Sequence, residues 1–170
     1  MSTTRRFAAF SRTTVPPRTR EIPEGGMCLS AFVILSQRGR PHHIVMGKVN
    51  TKAPWDHFAA LDPERAEKAS RGWMLPSSHL LLFESPQEAA QRILREQLSI
   101  NDQELSKPFT FSEAYGPNNH WDFHFVFRGE RDAIEPTDAW TELKFLDVTK
   151  IKREEIVRAQ DDILGYAGEL

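Results

Sequence analysis

The sequence predicts a single α/β (α+β) domain, and three observations carry that expectation. Leu29 to Leu35 (LSAFVIL) and His43 to Val49 are short apolar runs of the kind that form buried strands, separated by the turn Arg38-Gly39-Arg40-Pro41. Ser85-Pro86-Gln87-Glu88 is a capping box with proline at the first helical position, followed by Ala89, Ala90, Ile93, Leu94 and Leu98 as an apolar stripe. His120 to Phe127 alternates, placing Trp121, Phe123, Phe125 and Phe127 on one face of a strand and His120, Asp122, His124 and Val126 on the other.

Taken in order, residues 1 to 25 are rich in Ser, Thr, Arg and Pro. Their few large apolar groups are too few to offset the entropy of ordering, so a flexible tail is expected. An acid-free, Arg-containing N-terminus also suits an organellar transit peptide, but Pro16 and Pro17 close any amphipathic helix early. The folded part is expected over 26 to 170, beginning with a hairpin from the two apolar runs. Asp62-Pro63-Glu64 starts a helix that Gly72 stops, and the capped helix covers 86 to 98. Phe109 to Tyr115 and His120 to Phe127 return as strands, a polar loop leads to a strand near Thr141 to Leu146, and a helix from Thr149 to Leu164 closes the chain at Gly165.

The 170 residues, 39% of them hydrophobic, suit one core. The charges divide unevenly. Residues 1 to 20 hold five arginines and no acid (+5), whereas 21 to 170 hold 17 basic and 24 acidic groups (-7), which together give the formal -2. An acidic body disfavours a broad nucleic-acid surface. No apolar run reaches the roughly 20 residues that span a bilayer, so no membrane is expected as a partner. A lone Cys28 allows no internal disulfide and no cysteine zinc cluster, and it fits a reducing, cytoplasmic setting.

Trp73 to Ile100 (WMLPSSHLLLFESPQEAAQRILREQLSI) reads as one unit. It resembles the Nudix box, G-x5-E-x7-R-E-U-x-E-E-x-G-U with U aliphatic, preceded by Trp and Leu-Pro. Ungapped, the match places Ser78 at the box glycine, Glu84 at the first glutamate and Arg92 at the arginine. Glu96 and Gln97 meet the paired glutamates, Ile93 stands where another glutamate belongs, and Ser99 replaces the late glycine. The resemblance implies a Nudix-type α/β/α sandwich with a mixed, curved sheet between helices. It further implies a metal-dependent hydrolase of nucleoside diphosphates linked to a second group.

The family's ligand face, positions 93, 96 and 97 at i, i+3 and i+4, shows one carboxylate here where three belong. Hard Mg²⁺ or Mn²⁺ wants oxygen donors, so the expected metal is weakly held by Glu96, with Gln97 and Glu84 in support. Arg92 and Glu84 are expected to brace the loop against the helix as an ion pair. A further carboxylate, ligand or general base, would come from Glu135, Asp138 or Glu142, with Asp138 preferred and Glu96 as the main catalytic group. The expected function is a nucleotide-type binder with weak or no hydrolysis; the alternative is an active hydrolase.

Three other readings stay open. His120, Asp122 and His124 share a strand face and suit a substrate cleft, although successive positions on that face, two residues apart, are about 6.6–7 Å from each other, which is wide for one ion. Trp55 with His57 forms either an aromatic lid over a base or a hydrophobic plug. Lys48 and Lys52 are near enough to meet a phosphate, and the Phe-rich strand face could pair two copies into a homodimer.

Overall fold

A computed structural model describes residues 5–10 and 23–170. Its elements are β1 (Ala9–Phe10), β2 (Met27–Gln37), β3 (Arg40–Val49), α1 (Trp55–Ala59), α2 (Pro63–Ala69) and β4 (Ser77–His79), then α3 (Pro86–Leu98), β5 (Phe109–Tyr115), β6 (His120–Arg131), β7 (Trp140–Asp147) and α4 (Gln160–Tyr166). The sheet runs β5-β6-β2-β3-β7, with β1 and β4 also paired to β2. β2 and β6 are parallel over the whole of β2, from Met27↔Trp121 to Gln37↔Arg131, and the other pairings are antiparallel.

A parallel pair at the centre of a sheet needs cover on both faces, and alternation along β2 supplies two apolar surfaces. Ala31, Val33 and Leu35 pack toward Ala89, Ala90, Ile93 and Leu94 of α3. Phe32 and Ile34 pack toward Ile163 and Leu164 of α4. The result is the expected helix-sheet-helix sandwich. At the β3–β7 edge, Gly47 lies directly beneath the Trp140 ring, where an added Cβ would come within 2.3 Å of it.

The capped helix lies where the sequence places it. Ser85 Oγ accepts from the Glu88 N–H, and Glu88 accepts in return from the Ser85 N–H at 2.8 Å. Its C-cap is Ser99 in a left-handed conformation (φ 56), the backbone state that explains glycine at the matching position of the box pattern.

Two expectations change. The closing helix is broken: Val148–Lys150 and Arg153–Glu155 are single 3₁₀ turns, Arg158 and Ala159 have positive φ, and only Gln160–Tyr166 is α-helical. The cause is tertiary. Trp73 donates to the Glu155 carbonyl and its own carbonyl accepts from Val157, so this stretch is held as an added bridge rather than as helix. The second change concerns the tail. Residues 1–4 and 11–22 lie outside the described residues, but 5–10 are part of the domain: Ala9 pairs with Cys28, Phe7 bridges Leu81, and Ala8 donates to Leu80.

Candidate functional site

The helix face predicted to hold metal is built otherwise. Ile93 is fully buried in the apolar core. Gln97, equally buried, spends its amide on the backbone: its Oε1 accepts from the Ser77 N–H at 3.2 Å and its Nε2 donates to the Ser77 carbonyl at 2.8 Å, clamping β4 to α3. Glu96 remains half-buried, and both its oxygens are taken by Arg5, whose guanidinium donates at 2.6 and 2.8 Å and also reaches the His57 carbonyl. Burial pushes the Glu96 carboxyl up, but the hydrogen bond and charge of Arg5, helped by Arg92 and His57, outweigh this and hold it below the usual carboxylate range.

Glu84 is likewise committed. Its two oxygens accept from Arg92 at 2.7 and 2.8 Å and from the Leu81 N–H. Arg92, almost fully buried, also donates to Ser78 Oγ and to the His79 carbonyl. The expected brace therefore exists, and it engages both Glu84 oxygens. Asp138 is exposed in the loop before β7, and among the described residues only its carbonyl is engaged, by Asn50. Glu142, also exposed, pairs with Lys48 and Lys144 across β3 and β7. Neither reaches Glu96 by any contact among the described residues, and Glu135 is exposed in the same loop. A donor set of one arginine-paired carboxylate does not fit a Mg²⁺ or Mn²⁺ cluster on α3.

Trp55 is the plug. It is buried, its Nε1 donates to the Ala139 carbonyl, and its ring meets Trp140 edge-on at 4.8 Å. His57 beside it is exposed, as is Lys52.

The polar face of β6 does line a cleft, as expected of His120, Asp122 and His124. This cavity of about 770 Å³ opens between the β2–β6 pair, β4, and the approach to α4. The parallel register brings Cys28 beside Asp122 and Ser30 beside His124. The Cys28 thiol donates to Asp122, His120 Nε2 lies 3.2 Å from the same carboxylate oxygen, and His120 Nδ1 lies 2.5 Å from the Gly25 carbonyl. His79 Nδ1 sits 3.3 Å from Ser30 Oγ, and Tyr115 OH lies between Glu113 at 2.7 Å and His124 Nε2 at 3.4 Å. Arg65 and Arg158 bring positive charge to the rim, and Arg158 makes no hydrogen bond or ion pair among the described residues.

Cys28, His79, Tyr115, His124 and Arg158 are pushed toward their neutral forms. Burial, then the Arg158 charge, lowers His79 to about 4, and burial lowers His124. Burial, then the Asp122 charge, pushes the Cys28 thiol up, and burial with the Glu113 hydrogen bond does the same to Tyr115. Enclosure by protein and the nearby Arg65 lower Arg158. Sequence reasoning missed Cys28, Ser30, His79, Tyr115, Arg65 and Arg158. The only local signal was Ser30, a polar group inside an otherwise apolar strand.

No protein-family model and no curated protein sequence matches this chain. Solved structures do. The MutT protein from Methanosarcina mazei Go1 superposes at a TM-score of 0.60 with 12% identity, covering 87% of this chain and 95% of that one. The MutT Nudix hydrolase from Burkholderia pseudomallei gives 0.57 with 16% identity over 82% and 96%. The Nudix domain of Shewanella oneidensis NrtR, solved with ADP-ribose, gives 0.57 with 12% identity over 92% and 94%. The sandwich with its capped helix and braced loop is thus of a known class, the mixed-sheet α/β/α sandwiches. Within that class the chain has the Nudix fold.

Proposed function

We propose that this Nudix-fold protein binds a nucleotide or nucleoside-diphosphate derivative in the β2–β6 cleft and hydrolyses it weakly or not at all. The observation that carries the reading is the closed state of the helix site: Arg5 occupies both oxygens of Glu96 while Ile93 and Gln97 are built into the core. Metal-assisted phosphoryl chemistry needs open coordination positions beside the substrate, and this face offers none.

Ligand binding is supported by the cleft. Its volume of about 770 Å³ lies in the range of small-molecule sites. The guanidinium groups of Arg65 and Arg158 suit phosphate oxygens, which a planar fork binds through two parallel hydrogen bonds. Phe32 and Tyr115 offer apolar ring surface on the wall, and His79 and His124, held neutral, add hydrogen-bonding nitrogens without extra charge. The ligand class agrees with the ADP-ribose that the Shewanella domain holds.

Calorimetric titration of the full chain with ADP-ribose, ADP and inorganic pyrophosphate, run in chelator and again with Mg²⁺ or Mn²⁺, tests both halves. Saturable binding of at least one nucleotide in chelator is expected, weakened by Arg158→Gln, with no product released when metal is present. Turnover near 1 s⁻¹ or faster, the ordinary range of enzymes, overturns the non-hydrolytic reading. No binding of any member overturns the nucleotide reading.

A further inference from the structure

We propose that Cys28, His120 and Asp122 form a binding site for a zinc-class divalent cation on the floor of the cleft, separate from the helix face where the Nudix fold would place its hard metal. The three donor atoms, a sulfur, an imidazole nitrogen and a carboxylate oxygen, all lie within 4.8 Å of one another. Tetrahedral zinc, with bonds of about 2.0–2.3 Å, sets its ligands roughly 3.3–3.8 Å apart. The His120–Asp122 separation of 3.2 Å is already close to this, whereas side-chain rotation must part the Cys28 thiol from the Asp122 oxygen it now touches to admit the ion.

Two features make this more than a coincidence of side chains. The first is how His120 is held. A carbonyl oxygen only accepts, so the Gly25 contact at 2.5 Å fixes the ring proton on Nδ1. In the neutral ring the Nε2 lone pair then faces the Asp122 carboxylate at 3.2 Å. Two lone-pair atoms so placed repel unless a cation or a proton stands between them, and a backbone-anchored Nδ1–H with Nε2 turned inward is how metal-bound histidines are oriented. The second is His124. It is 3% exposed, lines the same cleft, and its Nδ1 has no hydrogen-bond partner among the described residues. A buried nitrogen of that kind is a further polar group open to a ligand in the same cleft.

The donor chemistry selects the ion. Mg²⁺ and Ca²⁺ prefer all-oxygen shells, whereas a thiolate with imidazole and carboxylate suits zinc and its neighbours. Cys28 would bind as thiolate, its proton passing to solvent as the metal–sulfur bond forms. Three protein ligands leave a fourth position facing the cleft, the arrangement of sites that take water or a ligand group there. Tertiary structure alone creates the set, because Cys28 lies 94 residues from Asp122.

The test is a Co²⁺ titration of untagged, chelator-treated full chain, followed by its thiolate-to-cobalt charge-transfer absorption. One equivalent per chain should saturate the band, and Zn²⁺ should abolish it while excess Mg²⁺ does not. Cys28→Ser should remove the band. His120→Ala and the isosteric Asp122→Asn should each weaken Co²⁺ affinity at least tenfold, whereas Glu142→Gln, remote on β7, should not. Zn²⁺ should raise the melting temperature of the wild type and not of Cys28→Ser. Absence of the band overturns the proposal, and so does an affinity unchanged in both His120→Ala and Asp122→Asn, the pattern of a thiol binding metal without them. Because nucleotide binding is measured in chelator, failure here leaves that reading to stand or fall separately.

Discussion

Restoring the two missing carboxylates, Ile93→Glu with Gln97→Glu, asks whether α3 is a dormant metal site or a rebuilt one. Ile93 is fully buried, so its replacement forfeits about 1.5–3 kcal/mol of apolar burial. It also leaves a carboxyl without a partner, at roughly 1–3 kcal/mol. Glu at 97 can still accept from the Ser77 N–H, but it donates to the Ser77 carbonyl only while protonated, and once ionised it orphans that group, for about another 1–3 kcal/mol. The total of about 3.5–9 kcal/mol is a large part of the 5–15 kcal/mol typical of a folded domain. At 2–4 °C per kcal/mol for a chain of this size, the melting temperature should fall by at least about 7 °C. Both new carboxyls would be held protonated by burial, with native pKa values above the ordinary value of about 4.3. The deficit should therefore be smallest below pH ~4 and grow as pH rises from there through the raised native values. The assay is thermal and urea unfolding against pH, with and without Mg²⁺. A functional site would recover stability on metal addition, by about 2.7 kcal/mol at 100 times Kd. A double variant as stable as wild type, or one rescued by Mg²⁺ that gains hydrolysis, refutes the claim that Ile93 and Gln97 belong to the core.

Glu84→Gln should cost about 3–5 kcal/mol by urea unfolding, because it leaves the buried Arg92 cation without its counter-charge; a loss below 1 kcal/mol would show that the brace carries little. Arg5→Gln should cost about 1 kcal/mol at neutral pH. Glu96 has a lowered native pKa, so its contribution is fully present above the ordinary carboxylate value and lost as pH falls through the lowered one. The two unfolding curves should accordingly converge in acid, and a constant gap would exclude the ion pair as the cause. Ser99→Gly should raise stability by about 0.5–1 kcal/mol in a melting assay by relieving the left-handed C-cap. Gly47→Ala should lower it by several kcal/mol, since its methyl would enter the Trp140 ring; an unchanged melting temperature would show that the ring swings aside freely.

What the sequence disclosed was local. The Ser85 cap, the proline after it and the apolar stripe are neighbours along the chain, and α3 falls on 86–98 as read. The Glu84–Arg92 brace was legible because a fixed spacing within one loop and helix specifies it. β4 was not, since its Ser-Ser-His carries no strand signal and its pairing is decided by β2 and by the amide of Gln97. The last helix was misread because Trp73, some eighty residues earlier, takes the backbone groups that would have continued it. Trp55 could be lid or plug until Trp140 was known to stand beside it. The strand face of His120, Asp122 and His124 was legible as polar, but its partner Cys28 depends on a parallel register that no local pattern encodes. Arg5 was invisible for a different reason: averaging composition over 1 to 25 hides one residue whose two contacts lie 52 and 91 positions away.

Charge explains why these substitutions belong together. Three carboxylates at i, i+3 and i+4 on one helix repel one another, and bringing them near a packed sheet costs more than the helix can absorb without divalent cations between them. Replacing one by Ile93 and another by Gln97 leaves a single negative charge, which one guanidinium balances. Arg5 is that guanidinium, delivered by a segment that also adds β1 to the edge of β2. The exchange turns a face whose stability would depend on metal concentration into one satisfied within the chain. The same logic predicts where cation affinity can persist: in the cleft, Asp122 stands between a thiol and an imidazole and has no arginine or lysine partner within ion-pair distance among the described residues.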